Sequence, residues 1–135
     1  MTGEDLAHAA KGLVGAPFRL HGRTPETGLD CIGLLVAACA AAGRQIILPN
    51  GYRLRSRSLP GLAGPAAQAG FAPASPPLRA GDVAMCRVNP CQHHLVIITN
   101  GNSFVHAHAG LGRVVAMPGP LPWPIVGLWR PLSPD

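Results

Sequence analysis

The turn sequence Asn-Gly-Asn at residues 100–102 separates two apolar, β-branched segments, and this arrangement constrains the fold more than any other feature. An Asn-Gly pair favours the tight turn of an antiparallel hairpin. Residues 94–99 and 103–108 are therefore predicted to form its two strands. Because side chains alternate between the faces of a strand, His94 and His106 are predicted to lie on one shared face.

Helices are predicted before this hairpin. Thr2 precedes an apolar-periodic segment, which predicts a capped helix ending near Gly15. Residues 18–29 are polar and contain Gly and Pro, so they are predicted to form a loop. Residues 30–42 are almost wholly apolar and rich in Ala, which predicts a helix buried on most sides that ends at Gly43.

Further strands are predicted on both sides of the hairpin. The Gly-Asp turn at 81–82 leads into an apolar strand at 83–86, and residues 113–117 and 125–130 add two more. Residues 49–80 hold many Pro and Gly and are interpreted as one long connection, with a short helix within 58–69. Helices followed by an antiparallel sheet predict an α+β fold, with residues 1–135 forming a single domain.

Composition and charge argue against a disordered chain and against a nucleic-acid-binding protein. Hydrophobic residues make up 47% of the chain and charged residues 13%, the opposite of the balance in a disordered protein. The net charge is +5, and Arg53, Arg55 and Arg57 alternate along one short stretch. Such a stripe suits nucleic acid, an anionic wall polymer or an acidic membrane, but a solvated strand edge or loop is the plainer interpretation. No aromatic residues interleave with these arginines, so no nucleic-acid partner is predicted.

The N-terminal residues lack a basic stretch followed by an apolar run, so no secretory signal is expected. The longest apolar run, residues 32–42, is too short to span a bilayer, and no membrane span is predicted. We therefore expect synthesis in the cytoplasm, with delivery by another component if the domain acts elsewhere.

Cys31 is the candidate nucleophile. It follows a Gly-containing loop and begins the predicted buried helix, with Asp30 at the cap position. Free N–H groups and a partial positive charge at a helix start favour the thiolate, so a lowered pKa is expected for Cys31. The same N–H groups suit an oxyanion. The alternative is a buried, inert cysteine.

The two hairpin histidines strengthen the case for Cys31. Of His94 and His106, one can serve as the general base and the other as its orienting partner, so that with Cys31 they match the nucleophile, base and orienter of cysteine hydrolases. The alternative is that one or both histidines are simply partly exposed strand residues.

A zinc site built from Cys86, Cys91, His93 and His94 competes with this interpretation. Both residue types bind zinc, but the four-residue gap between the two cysteines is wide and no second ligand pair follows. A Cys86–Cys91 disulfide or two free thiols is favoured instead, and no metal or cofactor is predicted. Cys39 is expected to pack as a small apolar residue.

Five motifs resemble the NlpC/P60 cell-wall peptidases over about residues 10–130. They are GAPFR at 15–19, GLDCIGL at 28–34, RAGDV at 79–83, HLVII at 94–98 and FVHA at 104–107. The FVHAH stretch followed by Gly-Arg-Val-Val resembles the small phage-type branch, which occurs with tail genes and gene-transfer-agent particles.

The resemblance implies a papain-like α+β fold in which Cys31 attacks a peptide carbonyl in peptidoglycan stem peptides. It implies that His94 deprotonates Cys31 and then protonates the leaving amine, that His106 orients His94, and that water resolves an acyl-enzyme. It further implies action at the cell wall or periplasm as part of a phage-like particle, with tail proteins as partners. A non-catalytic structural or binding subunit of a tail tip and a thiol acyltransferase are the alternatives.

The resemblance also assigns substrate-binding positions to Phe18, Asp30 and Ile32. The family usually has Tyr at the first of these positions and often Ser at the last, and with the Asp these residues recognise the free amine of a trimmed stem peptide. This chain keeps only Asp30. An uncut stem peptide or another amide is therefore expected as the substrate.

Overall fold

The computed structural model describes residues 1–48 and 61–132. The helices are α1 (Gly3–Gly12), α2 (Cys31–Ala41) and α3 (Ala63–Gln68). The strands are β1 (Arg23–Thr24), β2 (Gly28–Leu29), β3 (Phe71–Pro73), β4 (Val83–Asn89), β5 (Gln92–Asn100), β6 (Ser103–His108), β7 (Arg113–Pro118) and β8 (Ile125–Pro131).

The strands form one antiparallel sheet of six, in the order β3-β8-β4-β5-β6-β7, and a separate β1-β2 ribbon. Helices α1 and α2 precede the large sheet in the chain and contact β5. The predicted α+β class, with helices packed on an antiparallel sheet, is therefore confirmed. Within the described part of the chain, no helix is long and apolar enough to cross a membrane.

Helix α1 begins at the predicted cap and ends earlier than predicted. The Thr2 hydroxyl accepts from the Asp5 N–H, and the Asp5 carboxylate accepts from the Thr2 N–H, which forms a capping box. The helix ends at Gly12 rather than near Gly15. Gly15 has a φ of +97° and donates its N–H to the Val114 carbonyl of β7, so this residue leaves the helix to join the sheet edge.

Helix α2 agrees closely with the prediction. Asp30 is its N-cap, with the carboxylate accepting from the Gly33 N–H, and Cys31 is its first residue. The chain leaves the helical conformation at Gly43, whose φ is +94°. Most of the side chains along α2 are buried, because one face packs on α1 and another on the sheet.

The hairpin predicted around residues 100–102 is present. Asn100 pairs with Ser103, and the Asn100 side chain accepts from the Asn102 N–H within the turn. The segment predicted as a loop at 18–29 instead contains the β1-β2 ribbon. The short helix predicted within 58–69 corresponds to α3 where described, whereas the stripe of Arg53, Arg55 and Arg57 lies outside the described residues.

Two apolar clusters cover the two faces of the sheet. The helix-side core combines residues of α1 and α2 with sheet residues such as Leu95, Ile97 and Val105. The outer core contains Ala84, Cys86, Val96, Ile98, Phe104 and Leu128. The alternation along β5 assigns Leu95 to the helix side and Val96 to the outer side, which places His94 on the outer face.

Candidate active site

His94 and His106 are joined by a direct hydrogen bond. His94 Nε2 lies 2.9 Å from His106 Nδ1, and the ring planes meet at 79° with centroids 5.1 Å apart. His94 lies on β5 and His106 on β6, so the hairpin brings together residues twelve positions apart in sequence. The predicted shared face of the two histidines is confirmed.

This hydrogen bond assigns different roles to the ring nitrogens. Because His94 uses Nε2, its Nδ1 is the nitrogen left to exchange a proton with another group. His106 is 4% exposed, and its buried Nε2 has no hydrogen-bond partner among residues 1–48 and 61–132. A neutral ring carries one N–H, so donation from His94 Nε2 leaves a lone pair on His94 Nδ1 and makes His94 a base.

An aromatic enclosure surrounds the histidine pair. Trp123, in the segment between β7 and β8, meets His94 and His106 edge-to-face, with centroid distances of 5.8 and 5.7 Å. The ring centroid of Phe104 lies 5.3 Å from that of His106 and 6.3 Å from that of Trp123. On β6, the His108 ring lies 5.4 Å from that of His106. Sequence reasoning missed Trp123, although a tryptophan between two prolines was visible.

Cys31 contacts β5 next to His94. The pairing of β5 with β6 extends only as far as Ile97 and Val105. Residues 92–96 of β5 therefore pair with β4 but not with β6. In that part of β5, the Leu95 N–H faces the Cys31 sulfur and acts to lower the pKa of the thiol. The thiol of α2 therefore lies beside Leu95, the strand residue that follows His94.

The pKa of Cys31 is raised rather than lowered. Burial of the thiol, which is 6% exposed as a residue, raises the pKa to about 12, and the Asp30 carboxylate adds to the increase. The N–H groups of Leu95, Ile32 and Cys31 act in the opposite direction. The lowered pKa expected from the helix start is therefore wrong, because desolvation outweighs the helix-terminal N–H groups.

Both histidines are held in the neutral form. Burial lowers the pKa of His94 to about 4, with a further contribution from His108. Burial also lowers the pKa of His106 to about 4, with contributions from His94 and His108. At pH 7 the site therefore consists of a neutral thiol beside two neutral imidazoles.

The Asp30 carboxylate is fully engaged by the chain itself. One oxygen accepts from the Gly33 N–H and from Arg23 Nη1, both at 2.8 Å, and the other accepts from the His21 N–H at 2.9 Å. His21 has a φ of +60°, a conformation that this hydrogen bond helps to hold. Asp30 thus connects the loop before β1 to the start of α2. Sequence reasoning missed Arg23 as its ion-pair partner.

The two remaining predicted binding residues, Phe18 and Ile32, both pack with the helix-side core. Phe18 is half-buried against the helix-side core, and its backbone lies beside Leu29 and bonds Gly112. The Ile32 side chain is buried in the same core. The part of Ile32 that faces the Cys31 sulfur is its backbone N–H.

Close backbone packing holds the loop against α2. A Cβ atom at Gly33 would overlap the Gly22 carbonyl oxygen, and one at Gly22 would overlap the Gly28 carbonyl oxygen. Residues without side chains are therefore required at Gly22 and Gly33 for the loop to approach the helix this closely. This approach brings His21 and Arg23 to the Asp30 carboxylate.

The residues of the zinc alternative do not form a metal site in the described part of the chain. Cys86 is buried in the outer core directly opposite His94, Cys91 is exposed, and His93 is buried. Among residues 1–48 and 61–132, no group of three or more His, Cys, Asp or Glu side chains is arranged to hold a metal ion. All four cysteines are free thiols.

No protein-family model matches the chain, and no curated protein sequence matches it. Solved structures do match. NlpC2 from Trichomonas vaginalis is 18% identical, with a TM-score of 0.67, over 95% of this chain and 45% of that one. The NlpC/p60 domain of the peptidoglycan hydrolase SagA is 22% identical, with a TM-score of 0.60, over 87% and 90% of the two chains.

An NlpC/P60 family protein from Bacillus cereus is 20% identical, with a TM-score of 0.69, over 98% of this chain and 41% of that one. The chain therefore spans less than half the length of the Trichomonas and Bacillus proteins. At these identities the likeness establishes the fold, which is the papain-like α+β fold of NlpC/P60 domains.

Proposed function

We propose that this chain, which has the NlpC/P60 fold, is a cysteine hydrolase that cleaves amide bonds in peptidoglycan stem peptides. The observation that carries the proposal is the 2.9 Å hydrogen bond between His94 Nε2 and His106 Nδ1, next to the strand position that contacts the Cys31 thiol. A nucleophile, a base and an orienting group are thereby present at one end of the hairpin.

The reaction begins from neutral groups. As the Cys31 sulfur attacks the amide carbonyl carbon, its proton passes to His94 Nδ1, since His94 Nε2 is held by His106. The His94 imidazolium then donates this proton to the departing amine nitrogen. A thioester remains on Cys31. His94 next removes a proton from the attacking water, the C–S bond breaks to release the carboxylic acid, and His94 returns the proton to the Cys31 sulfur.

The oxyanion is stabilised by backbone N–H groups at the start of α2. The Gly33 N–H is already bonded to the Asp30 side chain, and the Leu34 N–H to the Asp30 carbonyl. The N–H groups of Cys31 and Ile32, which face the sulfur, are the ones we assign to the oxyanion. This gives Ile32 a role through its backbone, while its side chain packs in the core.

Peptidoglycan is proposed as the substrate on two grounds. The motifs of the chain resemble those of the cell-wall peptidases, and SagA, whose NlpC/p60 domain shares the fold, is a peptidoglycan hydrolase. The resemblance to the phage-type branch supports action at the cell wall or periplasm, as a component of a phage-like particle with tail proteins as partners.

The surroundings of Asp30 favour a stem peptide without a free N-terminal amine. Arg23 already neutralises the carboxylate, and both carboxylate oxygens accept hydrogen bonds from the chain. An incoming ammonium group would have to displace Arg23. We therefore expect faster cleavage of N-acetylated or sugar-linked stem peptides than of matched free-amine peptides. A preference for the free amine of tenfold or more, about 1.4 kcal/mol, would contradict this assignment.

Digestion of purified muropeptides of several wall types, followed by mass spectrometry, tests the proposal. Wild-type protein should release amide-cleavage products, and Cys31→Ala should release none. Cys91→Ser, which changes an exposed thiol, is the matched control and should retain activity. The substrate assignment fails if the wild type releases no product from any wall type. The nucleophile assignment fails if products persist with Cys31→Ala.

A non-catalytic binding subunit is the second candidate, and the raised pKa of Cys31 favours it. For this candidate, wild type and Cys31→Ala should bind muropeptides equally and cleave none. For the hydrolase, wild type should cleave the same muropeptides that Cys31→Ala only binds. Calorimetric binding and digestion of one muropeptide set separate the two candidates.

A further inference from the structure

Trp123 lies against the histidine pair on a segment that is tied to the sheet at both ends. Gly119 donates its N–H to the Asn102 carbonyl at 2.6 Å, and Arg87 of β4 donates its N–H to the Pro124 carbonyl at 2.9 Å. Pro122 and Pro124 flank the tryptophan and restrict the backbone around it. Backbone hydrogen bonds therefore anchor the segment that carries the indole on both sides of Trp123.

The indole contacts the two rings that share the central hydrogen bond. Its edge-to-face contacts with His94 and His106 have interplanar angles of 86° and 71°, and a third contact joins it to Phe104. Trp123 also packs against the outer core. An apolar ring in contact with both imidazoles is placed to keep water from their hydrogen bond and to limit rotation of the His94 ring.

Few groups around the histidine pair could stabilise a positive charge on either ring. On β6, His108 packs against the His106 ring and contributes to the lowered pKa of both histidines, and on β4 the buried Cys86 thiol lies opposite His94. On α2, the Cys31 thiol reaches the neighbouring Leu95 N–H. Among the described residues, no carboxylate forms an ion pair with His94 or His106. The protein therefore offers little stabilisation to an imidazolium at this position. The free energy of protonating either histidine depends mainly on how far water reaches the rings.

We propose that Trp123 is a positioning residue for the proposed hydrolase: it holds the His94 ring with Nε2 toward His106 and keeps water from their hydrogen bond. The inference rests on the proposed function for its effect on turnover. Its effect on the histidines themselves does not require turnover. A purely structural role of Trp123 in core packing would not change the protonation of His94 and His106, whereas the positioning role predicts such a change.

Removal of the ring should change histidine protonation without unfolding the protein. In NMR titrations of the histidine ring signals, the wild-type His94 and His106 should remain neutral well below pH 6.5. In Trp123→Ala, water should reach the pair and both pKa values should increase by about one unit or more. Trp123→Phe, which keeps an aromatic ring, should remain close to wild type.

Two further variants keep the test informative if Trp123→Ala does not fold. Trp123→Leu fills only part of the volume of the indole, so water should again reach the pair and raise both pKa values; this variant serves if Trp123→Ala is too unstable to measure. Trp129→Phe alters the other tryptophan, which packs against the helix-side core, and should leave both values unchanged. Far-ultraviolet circular dichroism verifies that each variant is folded.

Kinetics with a cleaved muropeptide gives the second readout. A misplaced base affects the chemical step, so Trp123→Ala should lower kcat about 10- to 100-fold with KM changed less than about twofold. Trp123→Phe should restore most of kcat. The inference is overturned if folded Trp123→Ala and Trp123→Leu keep the wild-type histidine pKa values. It is also overturned if their only kinetic change is a higher KM. Absence of turnover in wild type contradicts the proposed function instead, and the NMR titration still decides the role of Trp123.

Discussion

The ring nitrogens His94 Nε2 and His106 Nδ1 lie 2.9 Å apart on two strands that cease to pair at this end of the hairpin. The separation of β5 from β6 leaves the Leu95 N–H available to the Cys31 sulfur of α2. The outer-face histidines and the helix-side thiol are thus linked through two successive residues of β5, His94 and Leu95. The same hydrogen bond assigns proton exchange to His94 Nδ1.

Replacement of His106 should impair orientation of the base. His106→Ala removes the partner of His94 Nε2, and kcat should decrease about 100-fold while KM changes little. His106→Asn keeps a side-chain acceptor and should retain more activity than His106→Ala. Steady-state kinetics on one muropeptide measures both.

His108→Ala is the control for His106, because it removes an adjacent histidine of the same strand. It should retain most of the activity. A decrease in kcat equal to that of His106→Ala would contradict the orienting role of His106.

Alkylation of Cys31 should show no reactive thiolate at neutral pH. Because burial raises the thiol pKa to about 12, labelling by iodoacetamide should be slow at pH 7 and accelerate with no plateau up to pH 10. Mass spectrometry of a Cys91→Ser background, which lacks the exposed thiol, measures the rate at Cys31. A plateau below pH 7 would show a preformed thiolate and contradict the neutral resting state.

Stability should decrease with acid through the histidine pair. Both histidines have pKa values of about 4 in the folded state, below the ordinary value of 6.5, so the unfolded chain binds more protons between these values. The free energy of unfolding is therefore highest above pH 6.5 and falls as pH decreases from about 6.5 to 4. We expect the pair to account for more than about 2 kcal/mol of this loss.

Urea unfolding at pH 7, 5.5 and 4 measures the effect. The double variant His94→Gln, His106→Gln removes both titrating groups and retains the carboxylates, so its difference from wild type isolates the pair. The prediction fails if the two proteins lose equal stability between pH 7 and pH 4.

A methyl group at Gly33 should separate the loop from α2. In Gly33→Ala the new Cβ overlaps the Gly22 carbonyl, and backbone atoms on both sides must shift. We expect a loss of about 2 kcal/mol or more in the free energy of unfolding, and lower activity, because the Asp30 contacts with His21 and Arg23 are disturbed.

Gly12→Ala is the matched control for Gly33, since a Cβ at Gly12 meets open space. It should be neutral or slightly stabilising in the same urea titration. Equal losses in the two variants would contradict the close-packing account.

Local sequence patterns were sufficient to predict helix α2, the β5–β6 hairpin and the pairing of the two histidines. The Asp30 cap, the apolar run behind it and the Asn-Gly turn are each encoded within a few residues, so α2 and the hairpin were predictable. Strand alternation was enough to place His94 and His106 together. Fold class followed from the order of these elements.

Properties that depend on tertiary contacts were not predictable in this way. The pKa of Cys31 depends on how deeply α2 packs against β5, and local helix-start reasoning gave it the opposite direction. Trp123 reaches the histidines from a loop that follows β7. Arg23 reaches Asp30 because glycines allow the loop to approach α2.

Trapping of the acyl-enzyme tests the central claim most directly. Wild-type protein is mixed with a cleaved muropeptide, quenched in acid within the first turnover, digested and examined by mass spectrometry. We predict a thioester adduct, equal in mass to the acyl part of the substrate, on the peptide that contains Cys31, and its absence from Cys31→Ala. Cleavage that proceeds at the wild-type rate in Cys31→Ala, with no adduct on Cys31 in the wild type, would contradict the account.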